Sequence, residues 1–276
     1  MTARPVARAQ ALGAASAPTH PTTGLHRAPK GAGGPPLVLL HGFLGTPDAW
    51  SDVLAALAHH GAVWCPWLPG HGSVPPLPVT WDATAQALAD ALPAGCVLAG
   101  YSMGARLALA ATLCRPGQAR ATLLIGGHIG LANERERAER RALDAERAAR
   151  LRDGKLAAFV AAWEALPLFA TQRALPEAKQ ARQRAARIAH DPQALAWSFD
   201  VAGLARMPDL RPAVSATRQR LHFLTGALDA RFATLGASVA RPPWVTHASV
   251  PSAGHNLLLE APAAVAASLI DLMEMA

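Results

Sequence analysis

Ser102 lies between two glycines in Gly100-Tyr101-Ser102-Met103-Gly104, where the apolar run CVLAG gives way to MGARLALAA with helical spacing. A serine at such a strand-to-helix turn has its hydroxyl held out at a helix N-terminus, and flanking glycines let the backbone segments come close. That is how a nucleophile or base is presented. The plainer role is a helix N-cap, which serine fills well. A serine hydroxyl of ordinary basicity needs a proton acceptor, and the pattern orders its partners as an acid followed by a histidine. LTGALD sets Asp229 just past a late apolar run, and VPSAGHN sets His255 in the loop after the next one, ahead of the last helical segment. Taken singly, these read as an aspartate in a polar turn and a surface histidine. Order and position together make them the candidate acid and imidazole, and Asp200 and Asp209, in or beside a helical stretch, are poorer candidates.

Charge developing on a substrate oxygen needs two backbone N–H donors. One belongs to Met103, the residue after the serine. The other is expected from Phe43 in the early loop His41-Gly42-Phe43, where Gly42 lets the backbone approach. His41 and the His71 of LPGHG read as structural. Arg106 falls one turn after Ser102, so its side chain points back toward the turn, and its neighbours Leu107 and Leu109 are apolar.

The other chemistries are thinly represented. Cys65, Cys96 and Cys114 are odd in number, far apart and without metal-ligand spacing, so they read as buried thiols in a reducing, cytoplasmic compartment. There is no phosphate-binding loop, and GAGGPP has the wrong glycine spacing for a dinucleotide fingerprint. Neither metal nor cofactor is expected. The net charge of +7 suits an anionic partner, but without basic runs interleaved with aromatics nucleic acid is excluded in favour of a small polyanionic substrate or mere solubility. Pro93, Gly95, Gly100 and Arg106 interrupt the longest apolar stretch, so stable membrane insertion is not expected. Residues 1–21 lack an apolar signal core and read as a disordered tail, with a transit peptide as the weaker alternative. Oligomeric state leaves no mark on the sequence.

The elements that must position these residues alternate. PPLVLLHGF, GAVWC, GCVLAG and ATLLIGG read as strands. TPDAWSDVLAALAHH, TWDATAQALADAL and SMGARLALAATLC read as the helices between them. This is an α/β pattern: a mostly parallel sheet with helices on both faces. From Leu131 to about Met207 the chain is helical only, with breaks at Gly154, Pro167, Pro176 and Pro192. That segment is expected to be a helical cap over the carboxyl edge of the sheet, where such sheets bind ligands. The sheet resumes in RLHFLTGALD and WVTHASV, and PAAVAASLIDLMEM closes as a helix. The division is a core of 22–130 and 208–276 with a cap of 131–207.

Together LHGFLG, LPGHG, GYSMGAR, TGALD and AGHN resemble the α/β-hydrolase superfamily over most of the chain. More specific are GGHIGL with RAER, then Asp144, Trp163 and PLF, then DPQALA and MPDL. These resemble the 2-succinyl-6-hydroxy-2,4-cyclohexadiene-1-carboxylate (SHCHC) synthase family of menaquinone biosynthesis. The resemblance implies a lyase without a cofactor. Its reaction eliminates pyruvate from 2-succinyl-5-enolpyruvyl-6-hydroxy-3-cyclohexene-1-carboxylate (SEPHCHC). It implies that Ser102 takes a ring proton, with His255 its partner and Asp229 the orienting acid. It also implies substrate contacts from Tyr101, Arg106, Arg140, Trp163 and an arginine ahead of DPQALA, which the spacing favours as Arg187 while leaving Arg184 open. Several guanidiniums suit a tricarboxylate, because each binds a carboxylate bidentately. Arg137, Arg141 and Arg147 are expected to be solvated. Trp67 stands where many relatives carry aspartate and Ile129 where they carry proline, which bears on loop shape and substrate fit. The alternative is a serine hydrolase, an esterase or carbon–carbon bond hydrolase using the same triad. A non-catalytic ligand-binding relative is disfavoured by the intact triad.

Overall fold

Seven strands form one sheet in the order β1-β3-β2-β4-β5-β6-β7. They are β1 (Leu25–Arg27), β2 (Leu37–Leu40), β3 (Val63–Cys65), β4 (Cys96–Tyr101), β5 (Ala119–Ile125), β6 (Leu221–Gly226) and β7 (Val245–Val250). The computed structural model describes residues 25–27, 34–57, 61–72, 74–75 and 78–275, so the segment 1–21 expected as a tail lies outside the described residues. β2 to β7 pair in parallel, and β1 joins the edge antiparallel to β3. Central parallel strands are buried on both faces and so read as unbroken apolar runs. β2 and β4 are buried at every position.

Helices supply the two covers. On one face α2 (Trp81–Ala91), α3 (Met103–Cys114), α9 (Arg211–Ala216) and α10 (Ala230–Val239) pack over Leu98, Leu124 and Phe223. On the other, α1 (Ser51–Ala56), α11 (Leu257–Glu260) and α12 (Pro262–Glu274) pack over Leu39, Val97 and Leu123. Register aligns the carboxyl ends of the strands. Leu40 lies beside Gly100, Tyr101 beside Ile125, and Ile125 beside Leu224. The turns after β2, β4, β5 and β6 therefore leave one edge together, which is what gathers residues far apart in the chain.

Between β5 and α9 runs the helical insertion: α4 (Glu134–Arg152), α5 (Leu156–Glu164), a 3-10 stretch (Pro167–Ala174), α6 (Glu177–Ile188), α7 (Pro192–Leu195) and α8 (Trp197–Asp200). The expected breaks have physical causes. Gly154 takes φ +75 after α4, and Pro167 and Pro192 start helices, where the missing N–H costs nothing. The insertion packs its own apolar cluster, including Leu151, Phe159, Val160, Leu195 and Phe199, around Leu44 of the core. Arg137 ties it down. Its guanidinium donates to Met207 O at 2.8 Å and to Leu131 O, and with 18% side-chain exposure it is not the solvated residue expected.

Further differences are local. Cys65 and Cys96 are buried as expected, but Cys114 is exposed, because it ends α3 beyond the sheet. β1 went unread because three residues give no periodicity. α10 went unread because its stretch ARFATLGASV carries few large apolar residues and a glycine.

Candidate active site

The turn at Ser102 is strained by its surroundings. Ser102 has φ 53 and ψ −107, a conformation that costs a non-glycine residue on the order of 1–3 kcal/mol and persists only where packing imposes it. The imposing contacts are the flanking glycines. A Cβ on Gly100 would overlap the Gly104 carbonyl, and one on Gly104 would overlap the carbonyls of Leu40 and His41. The end of β4, the start of α3 and the loop after β2 are thus pressed together at one point. Ser102 N–H donates to Ile125 O at 2.8 Å, and Arg106 N–H donates to Ser102 O at 3.1 Å, opening α3.

The acid and the imidazole meet this serine. His255 Nε2 lies 3.1 Å from Ser102 Oγ, and His255 Nδ1 lies 2.6 Å from Asp229 Oδ2. With Nδ1–H donating to the carboxylate, Nε2 holds the lone pair that can accept the serine proton. The ring is fixed by packing. Phe232 and Tyr101 stand 4.7 and 5.5 Å from it, centroid to centroid, and a Cβ on Gly126, which has φ +56, would come within 2.8 Å of its Cε1.

The loop after β2 is held by a neutral imidazole. His41 Nδ1–H donates to Gly42 O at 2.8 Å, and its Nε2 accepts from Leu68 N–H at 3.1 Å. Burial pushes His41 down to about 4. Its role is structural, as expected, and so is that of His71, buried and bonded to Pro69 O. Phe43 and Met103 both border the cavity in front of Ser102. The Met103 N–H, in the first turn of α3, has no intrahelical acceptor.

That cavity, about 100 Å³, is lined by Ser102, His255, Phe43, Met103, Arg106, His128, Arg140, Trp163, Phe199 and Phe232. Arg106 donates to Ala202 O at 2.6 Å. Burial, and then the Arg140 guanidinium, hold Arg106 below the ordinary arginine range. Arg140 is aimed by Asp144, one turn on along α4, at 2.7 Å. Trp163 packs edge-on to Phe43 at 4.8 Å. Tyr101 and Arg187 do not border this cavity. They line a larger one of about 450 Å³, with Trp67, His190 and Asn256, which shares Phe43 with the first. Arg187 and Arg184 both pair with Glu164, but Arg187 is buried, with 7% of its side chain exposed, and Arg184 is open at 61%.

Arg147 is not the solvated residue expected. Its guanidinium lies 5.1 Å from the Trp163 ring centre and 3.9 Å from Asp144, and its side chain is only 17% exposed. Arg140, Asp144 and Arg147 share one helical face at i, i+4 and i+7, but the sequence does not say what packs on that face. Phe199 and Phe232 had no signal either, because only tertiary packing brings them to the cavity. Ile129 is fully buried in the core. Among the described residues, no group of three or more His, Cys, Asp or Glu side chains is placed to hold a metal. No helix among them is long and apolar enough to cross a membrane.

Residues 37–268 match the family model described as the alpha/beta hydrolase family. Similar curated proteins include the 2-succinyl-6-hydroxy-2,4-cyclohexadiene-1-carboxylate synthase of Enterobacter sp. (strain 638), 35% identical over 248 residues, covering 88% of this chain and 93% of that protein. The protein of the same name from Escherichia coli O1:K1 / APEC is 35% identical over 244 residues, covering 87% and 94%. Among solved structures, MenH from S. aureus superposes with a TM-score of 0.84 at 25% identity, covering 92% of this chain and 98% of that one. A malate-bound thermophilic esterase from Thermogutta terrifontis superposes with a TM-score of 0.74 at 24% identity, covering 91% and 92%.

Proposed function

The chain belongs to the alpha/beta hydrolase family and, within it, to the SHCHC synthases, and from that premise we propose how its residues eliminate pyruvate from SEPHCHC. The enzyme is a carbon–oxygen lyase. Substrate and product differ in a way that fixes the electron flow. The substrate has a ring double bond between carbons 3 and 4 and an enolpyruvyl ether at carbon 5, and the product has double bonds at 2,3 and 4,5. A proton leaves carbon 2, its electron pair forms the 2,3 bond, the old π pair moves to 4,5, and the bond from carbon 5 to oxygen breaks. Enolpyruvate departs, takes up a proton and becomes pyruvate, with no net oxidation and no water consumed.

Ser102 Oγ removes the carbon 2 proton while passing its own to His255 Nε2, and Asp229 stabilises the imidazolium that results. Carbon 2 is next to the succinyl ketone, so charge develops on that oxygen, and the N–H groups of Phe43 and Met103 are its donors. Arg106 and Arg140 bind carboxylates beside Ser102, Trp163 closes over them, and Arg187 with Tyr101 receives a further carboxylate arm in the adjoining cavity. The helical insertion 131–207 acts as the lid, because about 100 Å³ is too little for the whole tricarboxylate and the two cavities must join around Phe43. We place the enzyme in the cytoplasm, which three free thiols support.

The observation that carries this reading is that the Ser102–His255–Asp229 relay opens onto a cavity holding two inward guanidiniums, a cost that an enzyme for neutral esters has no reason to bear. Deuterium at carbon 2 tests it. The labelled substrate should turn over more slowly by a primary isotope effect in single-turnover experiments, with pyruvate and conjugated diene formed one to one. Diene formed without pyruvate, or no turnover at all, contradicts it.

A further inference from the structure

His128 lines the cavity of Ser102, yet the elimination as derived gives it no task. It follows β5 in Gly126-Gly127-His128-Ile129-Gly130 and is 8% exposed. Gly130 N–H donates to its Nδ1 at 3.1 Å, so Nδ1 carries the lone pair and the single ring proton sits on Nε2. The tautomer is locked by the loop. Gly130 has φ +95, and a Cβ there would overlap the Pro208 carbonyl, so the turn has no room to rearrange. Burial and the surrounding Arg231, Arg106, Arg140 and Arg211 push His128 down to about 3. The imidazole is therefore neutral at working pH, a fixed N–H donor and not an acid. Ser198 borders the same cavity. It is 3% exposed, and its hydroxyl has no hydrogen-bond partner among the described residues.

We propose that His128 and Ser198 form an alcohol-recognising subsite that holds the ring hydroxyl of the substrate and sets specificity for the hydroxylated ring. His128 Nε2–H donates to the hydroxyl oxygen, and the hydroxyl donates to Ser198 Oγ. The assignment rests on the lyase reading and follows from matching chemistries. Carboxylates only accept and carry charge, so the guanidiniums suit them, and the ketone oxygen faces the backbone N–H pair. The ring hydroxyl both donates and accepts, and the same cavity offers a neutral imidazole N–H that donates and an unpartnered serine hydroxyl that can accept. A buried donor left without its partner is penalised, which is how such a site rejects an analogue lacking the hydroxyl.

The test compares pyruvate release from SEPHCHC and from its 6-deoxy analogue by wild type, His128→Phe, His128→Asn and Ser198→Ala, with thermal melts to monitor folding. Wild type should favour the hydroxylated substrate about 10- to 100-fold in kcat/KM. In His128→Phe that ratio should fall to about threefold or less, and Ser198→Ala should lower it partway. His128→Asn, whose amide can both donate and accept from Gly130 N–H, should keep most of it. A ratio unchanged in folded His128→Phe, even with lower activity on both substrates, overturns the subsite, and so does a wild type that does not discriminate. A wild type that releases no pyruvate from SEPHCHC overturns the lyase reading itself, and the subsite with it.

Discussion

At Ser102 one residue carries the strain and, in the proposed mechanism, the chemistry. Ser102→Ala and His255→Ala should each lower kcat by about 10³-fold or more, the first with little change in melting temperature and the second with some loss, since it also empties the packed site between Phe232 and Tyr101. Wild-type-like turnover in either folded variant would take the relay out of the mechanism. Asp229→Asn should be similarly impaired, because an amide can hold His255 in the wrong tautomer and offers no charge to the imidazolium. The loss should be seen in kcat more than in KM. These three residues were legible in the sequence because a turn motif, a chain order and two strand ends all constrained them. Arg137, Arg147 and Cys114 were not. Whether a residue on a helix surface meets solvent depends on what packs there, and neither Met207 nor Trp163 announces that it will sit beside an arginine.

The elements meet at a few points where volume is decisive. Gly104 is one, since α3 crosses the loop after β2 there with no room for a methyl group. Gly104→Ala should cost on the order of 1–3 kcal/mol of stability. It should also cost about 100-fold or more in turnover, because it displaces Ser102 and Phe43 together. Retained activity would mean that the donors are not set by this contact. Arg137 is another such point, a staple between the start of α4 and the chain that leads to α9. Arg137→Ala should lower stability by about 1.5–3 kcal/mol and hasten limited proteolysis within 131–207. Hydrogen exchange there should slow on binding a substrate analogue, as lid closure requires. The strand and helix alternation was readable because burial on both faces leaves unbroken apolar runs. β1 and α10 escaped because one is too short and the other too sparsely apolar to show a period.

For the molecule as a whole, buried neutral imidazoles set the response to acid. His41, His71, His128, His190 and His222 all lie below the ordinary histidine range, burial being the first cause in each. A histidine held low in the native state takes its proton only on unfolding. Its contribution is complete above about pH 6.5 and is lost as pH falls toward the native value, about 4 for His41. From His41 alone this amounts to roughly 3 kcal/mol. Urea unfolding should therefore show stability falling steeply from pH 7 to 4, and His41→Asn should flatten that slope by about one proton. In the proposed function part of the positive charge serves the substrate, as Arg106 and Arg140 lining the cavity of Ser102. Binding of the tricarboxylate by these guanidiniums is tested by comparing Arg106→Ala with wild type on SEPHCHC, by pyruvate release, and on a small neutral ester. Loss of a partly buried charge pair typically costs roughly 2–5 kcal/mol, so kcat/KM for SEPHCHC should fall by about 30-fold or more while any ester cleavage is spared. Full activity of the variant on SEPHCHC, or a wild type that cleaves the ester efficiently and releases no pyruvate, would contradict it.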